Sequence, residues 1–285
     1  MKAYNRRKLV SRIMLGLCAA SVVVVVVPLL LIIGYLIYQG ISSVNVNLFT
    51  QLPKPVGESG GGMANAIAGS LLLLGLASGF GMVVGVMTGI YLAEFGDNKF
   101  GFIVRFFSET LNSTPSIVIG IFAYTIIVVP MRHFSALAGG FALGVIMVPI
   151  IARTTEDMIR LVPTSLREAS LALGVNKWRT IFRVVLRTAS PGILTGIMLA
   201  LARAAGETAP LLFTAFGSRF WSLSVNEPIS SLPVQIYTYA ISPYEDWHRQ
   251  AWAGALILIG IVVLIGLAAR FLAARSSLVR GARRR

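Results

Sequence analysis

Apolar side chains gather in long blocks at 13–41, 63–92, 193–216 and 251–272, each long enough to cross about 30 Å of hydrocarbon at about 20 residues per span. Two shorter blocks, 115–131 and 137–152, complete a set of six predicted transmembrane helices. The pattern predicts an all-α integral membrane protein. Residues 42–62 carry Pro53, Pro55, Gly57 and the run Gly60-Gly61-Gly62, which predicts irregular structure between the first two spans. Residues 153–189 mix basic and acidic groups with Leu166, Ala169, Leu173 and Ile181 at roughly helical spacing, and Pro163 suits a first helical turn. A short amphipathic helix is expected there, lying on lipid or docking into another protein. In the second span, Gly75, Gly79, Gly81, Gly85 and Gly89 recur at intervals that let a partner backbone approach closely, so they are the expected helix-packing positions.

Charge then orients the chain. Hydrophobic residues make up 56% and charged residues 13% of the 285 positions, and the mean hydropathy is +0.79. The net charge of +14 would point to nucleic acid in a water-soluble protein, but here its distribution follows the spans. Of the 25 Lys and Arg residues, 20 fall in segments that are cytoplasmic if the N-terminus is inside, and only Lys54, Arg132, Arg219 and Arg249 fall outside. Both termini are therefore expected in the cytoplasm. The run ending Arg283-Arg284-Arg285 suits anionic headgroups better than nucleic acid. The basic start and long first apolar run read as a signal-anchor helix, since no A-x-A-like cleavage site follows. The expected division is 1–62 for anchor and external loop, 63–275 for the transmembrane domain, and 276–285 for a basic tail.

The same residues exclude several chemistries. Cys18 is the single cysteine and reads as a small core residue, leaving no disulfide and no thiolate metal site. His133 and His248 stand far apart and read as surface residues, so no metal is expected. Glu156-Asp157 and Glu245-Asp246 read as loop acids, not an acid/base pair. The glycine run lacks a following Gly-Lys-Ser/Thr and binds no nucleotide. The chain is not expected to be an enzyme.

Glu168-Ala169-Ser170, Gly174 and Val184-x-Leu186 resemble the cytoplasmic signature of bacterial ATP-binding-cassette (ABC) importer permeases: Glu-Ala-Ala, three residues, Gly, nine residues, Ile-x-Leu-Pro. The spacing is met. Ser170 stands for Ala, Val184 for Ile and Arg187 for the final proline. The resemblance implies a type I importer permease architecture. Its coupling helix would lie at about 160–187, with Glu168, Ala169, Leu173 and Gly174 meeting a cytoplasmic ATPase dimer. Gly61-Gly62-Met63, Ala66-Ile67-x-Gly69-Ser70, 114–122 and 203–212 are similar to the phosphate-specific branch, the PstA-type permeases. The implied partners are a second homologous permease, the ATPase dimer, an external phosphate-binding protein and membrane lipid. ATP and Mg would be held by the ATPase and no cofactor by this chain. Sulfate, molybdate and phosphonate remain alternative cargoes, and a channel or secondary transporter acting alone is the competing class.

Within the spans, Arg203 and Glu207 are four residues apart and share a helix face near the middle of the bilayer, if the fifth span starts near Pro191. A charge at that depth is costly and commonly marks an ion path. The pair reads either as a structural salt bridge or as a passing point where an oxyanion displaces Glu207 from the guanidinium. Pro210 should bend the helix beside it. Ser113, Thr114 and Ser116 complete the expected pathway. Glu109, Asn112, Ser113 and Thr114 are unusually polar for a span, and Thr114-Pro115 reads as an N-cap and first turn. The alternatives there are an interrupted helix whose second half offers its N-terminus to an anion, or a Pro-kinked span with self-capping hydroxyls. Aromatic residues between 217 and 252 read as interfacial anchors or as contacts for an external protein.

Overall fold

A computed structural model describes residues 2–58 and 60–282, with side chains described from 4 to 271 apart from 59 and 269. The basic tail expected at 276–285 lies outside the described side chains, and 283–285 lie outside the described residues. The described residues are helical or irregular. In chain order the helices are α1 (Lys2–Ile41), α2 (Val46–Thr50), α3 (Ala64–Phe95), α4 (Lys99–Ser113), α5 (Ser116–Ala123), α6 (Val129–Met131), α7 (Ala136–Arg160), α8 (Thr164–Ala172), α9 (Lys177–Thr180), α10 (Leu186–Ala205), α11 (Ala209–Thr214), α12 (Leu232–Ala240) and α13 (Glu245–Ala282). A π-helical turn, Tyr124–Val128, joins α5 to α6, and another, Ile181–Val185, joins α9 to α10.

Among the described residues five helices are long and apolar enough to cross a membrane, and Lys99–Ser113 with Ser116–Met131, bent by 106°, make six if the pair is counted as one span. Side-chain caps fix several starts: Asn98 Oδ1 accepts from the Gly101 amide (2.8 Å), Ser135 Oγ from Ala138 (3.2 Å) and Asn176 Oδ1 from Arg179 (3.1 Å).

Spans α3 and α7 run parallel and in close contact. A Cβ built on Gly81 would lie 3.0 Å from Met147 Cβ, one on Gly85 2.8 Å from Ile151 Cβ, and one on Gly89 2.5 Å from Thr155 Cβ. These glycines bring the two backbones together. Gly75 and Gly79 lie on the other face with nothing within 4 Å, so two of the five expected packing glycines make no such contact within the chain. Next to α7, antiparallel, runs α10, with Gly192 against Met158 and Gly196 against Thr154. Three apolar clusters result. The central one includes Leu73, Met147, Ile151 and Leu211, the external one Leu48, Met63, Leu232 and Trp247, and the cytoplasmic one Ile90, Ile159, Ile181 and Val185. Helix α1 stands apart, touching α13 through Tyr35 on Trp252 and Gly40 on Leu256.

Several expectations change. The fourth span continues past 152 to Arg160, so Glu156 is not a loop acid but a buried residue of α7 with 3% exposure. The fifth starts at Lys177 rather than near Pro191, which sits inside α10, and the chain leaves the helix at Gly206 instead of bending through Pro210. Cys18 is exposed on α1 rather than in a core, because no protein element covers that stretch of helix. Thr114 ends α4 and does not cap α5, since its hydroxyl donates back to the Thr110 carbonyl (2.7 Å).

Candidate functional site

Helices α4, α7 and α10 enclose a cavity of 540 Å3. Its α4 wall is a polar stripe of Arg105, Ser108, Glu109 and Asn112, spaced to share one helix face, while Phe100, Phe102, Phe106 and Phe107 point away. Arg153 and Glu156 contribute from α7, and Arg203 from α10. The cavity is therefore charged on all three walls in a span region where charges are costly.

Register places Arg203 in depth. Gly192 faces Met158 and Gly196 faces Thr154, so the antiparallel α10 carries Arg203 level with Met147, near the middle of α7. Met147 also faces Gly81, near the middle of α3. The guanidinium holds two loose partners. Nε lies 3.6 Å from Glu207 Oε1, and Nη1 donates to Asn112 Oδ1 at 3.3 Å. Arg203 occupies the last turn of α10, where unpaired carbonyls favour a cation. Its side chain remains 41% exposed, so donors are left free for an incoming acceptor.

A second arginine repeats this arrangement. Arg153 Nη1 lies 3.7 Å from Glu109 Oε1 across the cavity, and Nε donates to Asp157 Oδ2 at 3.2 Å. Both pairs are open to solvent and weak. The third is built differently. Arg105 donates from Nε to the buried Glu156 Oε1 (2.9 Å), from Nη1 to the Gly96 carbonyl (3.0 Å) and from Nη2 to the Leu92 carbonyl (3.0 Å). All three nitrogens are engaged, so this side chain ties elements together.

The structure thus brings Arg203 and Glu207 together with Asn112. Ser113, Thr114 and Ser116 do not line the cavity. Ser113 donates to Glu109 O (2.7 Å) and Thr114 to Thr110 O (2.7 Å), which leaves their oxygens as acceptors, the wrong polarity for an anion. Arg105, Arg153 and Glu156 were missed as a group. The stripe of polar residues on α4 is legible in the sequence once 99–113 is read as one helix; the α7 contribution is not, because it depends on the packing of α4 on α7.

At the cytoplasmic end, α8 stands where the amphipathic helix was expected. Glu168, Ala169 and Leu173 are exposed, Leu173 by 83%, and Leu166, Leu171, Trp178 and Phe182 extend the apolar surface. Gly174 takes φ +75°, its amide bonds to Leu171 O (2.9 Å) and the Val175 amide to Ser170 O (3.3 Å), a left-handed helix stop that favours glycine. Ser170 is buried and shares a hydrogen bond with Thr180 (2.9 Å), clamping α8 to α9. Arg167 pairs with Glu94 at the end of α3 and donates to Ile159 O (2.8 Å).

The family described as "Binding-protein-dependent transport system inner membrane component" matches residues 85–277. A protein of Yersinia pestis named "Phosphate transport system permease protein PstA" is 46% identical over 96% of this chain and 92% of its own length. The Haemophilus influenzae protein of the same name is 45% identical over 93% and 94%. A "Probable phosphate transport system permease protein PstA" of Methanocaldococcus jannaschii is 35% identical over 93% and 94%. Among solved structures, an inward-facing MetNI methionine ABC transporter aligns with a TM-score of 0.62 at 22% identity, covering 75% of this chain and 96% of that one. This last likeness concerns the fold, which is that of type I ABC importer permeases.

Proposed function

The chain belongs to the inner membrane components of binding-protein-dependent transport systems, and from that membership we propose that it is the permease subunit through which inorganic phosphate enters the cell, powered by ATP hydrolysis in a separate ATPase. It is a multi-pass inner membrane protein working with an ATPase and a substrate-binding protein. A second homologous permease, which would face this one, and surrounding lipid complete the proposed assembly. ATP and Mg are assigned to the ATPase.

The observation that carries the phosphate reading is the identity to phosphate permeases across nearly the whole chain, together with a mid-depth guanidinium whose partners among the described residues stand at 3.3 and 3.6 Å. An oxyanion presents several acceptors to the planar fork and can replace Glu207 and Asn112 without leaving the cation bare. When the anion moves on, Glu207 and Asn112 close behind it, so the site is not a permanent trap. Arg153 with Glu109 offers a second stop of the same kind toward the cytoplasm. The exposed face of α8, with Glu168, Ala169, Leu173 and the Gly174 turn, is the proposed ATPase contact.

Replacing Arg203 by Gln keeps a planar amide but removes the charge. Radiolabelled phosphate uptake should be abolished in cells carrying Arg203→Gln, while the subunit still assembles in the membrane. Near-normal uptake by an assembled variant would sink this pathway reading.

A further inference from the structure

The cytoplasmic end of α3 gathers more arginines than any structural cap requires. A helix end leaves its last carbonyls without intrahelical partners. Here Leu92 O accepts from Arg105 Nη2 (3.0 Å) and from Arg160 Nη2 (3.5 Å), and Gly96 O accepts from Arg105 Nη1 (3.0 Å). Between these two in sequence, Glu94, with a side chain 6% exposed, pairs with Arg167 of α8. Arg105 Nε and Arg160 Nη2 share Glu156 Oε1 at 2.9 and 3.0 Å, while Glu156 Oε2 is buried with no partner. Helices α3, α4, α7 and α8 therefore meet in one charged knot.

The geometry makes α4 a lever with its fulcrum in that knot. Two positions at the α3–α4 turn have no room for a Cβ: one on Gly101 would lie 2.1 Å from Gly96 O, and one on Gly96 2.8 Å from Arg105 Nη2. Arg105 sits one and a half turns beyond, fixed to α3 and α7. At the far end of the same helix, Asn112 accepts from Arg203.

We infer that Arg105 is a positioning residue that makes the α4 wall of the cavity follow the cytoplasmic helix α8, through Glu94 and Arg167, so that displacement of α8 alters the hold of Asn112 on Arg203. Arg105 does this by serving three acceptors on two elements at once, which requires the fork of a guanidinium and not merely a positive charge. The pair Arg167–Glu94 is the entry point of the motion and the contact Asn112–Arg203 its exit.

This inference rests on the permease reading above, and the experiment separates the two. The full complex is reconstituted in proteoliposomes, and phosphate accumulated and ATP hydrolysed are measured together. Failure of the wild-type complex to accumulate phosphate with ATP would overturn the permease reading itself. Given wild-type transport, Arg105→Lys, which keeps the charge and loses the fork, should lower phosphate moved per ATP at least tenfold while hydrolysis stays within about twofold. A ratio equal to wild type in an assembled Arg105→Lys complex overturns the inference. If that variant fails to assemble, the charge exchange decides. Arg167→Glu and Glu94→Arg should each lower the ratio, and the double variant should restore at least half of it. A double variant no better coupled than either single one overturns the inference.

Discussion

Replacing Ser170 by Ala would restore the residue that the importer signature carries at this place, and the structure assigns it a cost. Ser170 Oγ and Thr180 Oγ1 lie 2.9 Å apart, with the two residues 7% and 3% exposed. Alanine removes the bond and leaves the Thr180 hydroxyl buried without this partner, a penalty of about 1–3 kcal/mol. Changing both ends to apolar groups of similar shape, Ser170→Ala with Thr180→Val, removes the orphan and should be nearly neutral. The assay is amide hydrogen exchange over 164–180 in purified protein, since opening of the α8–α9 clamp is local. At tenfold per 1.4 kcal/mol, the single variant should lose about 5- to 140-fold protection there and the double variant should regain most of it. Unchanged protection in Ser170→Ala, or a double variant as unprotected as the single one, would refute the clamp.

Other consequences follow from single contacts. Gly89→Ala places a Cβ 2.5 Å from Thr155 Cβ and 2.6 Å from Ala152 O, so thermal unfolding in detergent should show about 1–3 kcal/mol of destabilisation, whereas Gly75→Ala, with nothing within 4 Å, should leave the isolated chain unchanged. Glu156→Ala removes the carboxylate shared by Arg105 and Arg160 and should cost about 3–5 kcal/mol, read as a sharp loss of folded protein in the membrane fraction. Leu173→Asp, at a site 83% exposed, should leave the unfolding temperature unchanged yet weaken co-purification of the ATPase at least tenfold.

The apolar blocks and the inside bias of Lys and Arg carried the fold, because hydrocarbon tolerates neither unpaired backbone nor scattered charge. The turn that ends α8 was equally legible, since Gly174 is a backbone requirement visible as φ +75°. Helix limits were not. Pro149 and Pro191 sit inside α7 and α10, because packed membrane helices accommodate proline where a water-exposed helix would end. Residues 99–113 are too polar to stand out as an apolar block, so only their end, Glu109 to Thr114, read as part of the third span, although Arg105 and Ser108 of the same helix also line the cavity. Glycine spacing marked a helix face but not which face, and Gly75 and Gly79 differ from Gly81, Gly85 and Gly89 only in what lies opposite. Arg203 and Glu207 were legible because only four positions separate them, although the helix that carries Arg203 ends at Gly206, before Glu207. Arg105 with Glu156 joins residues 51 apart and exists only once α4 lies on α7.

The central claim is that phosphate passes beside Arg203 in a complex driven by ATP. The most direct measurement is uptake of radiolabelled phosphate into proteoliposomes holding this chain with its ATPase, partner permease and binding protein. The account predicts accumulation that needs ATP, stops with vanadate and falls at least tenfold in an assembled Arg203→Gln complex. Vanadate-insensitive uptake, or wild-type accumulation by the variant, would contradict it.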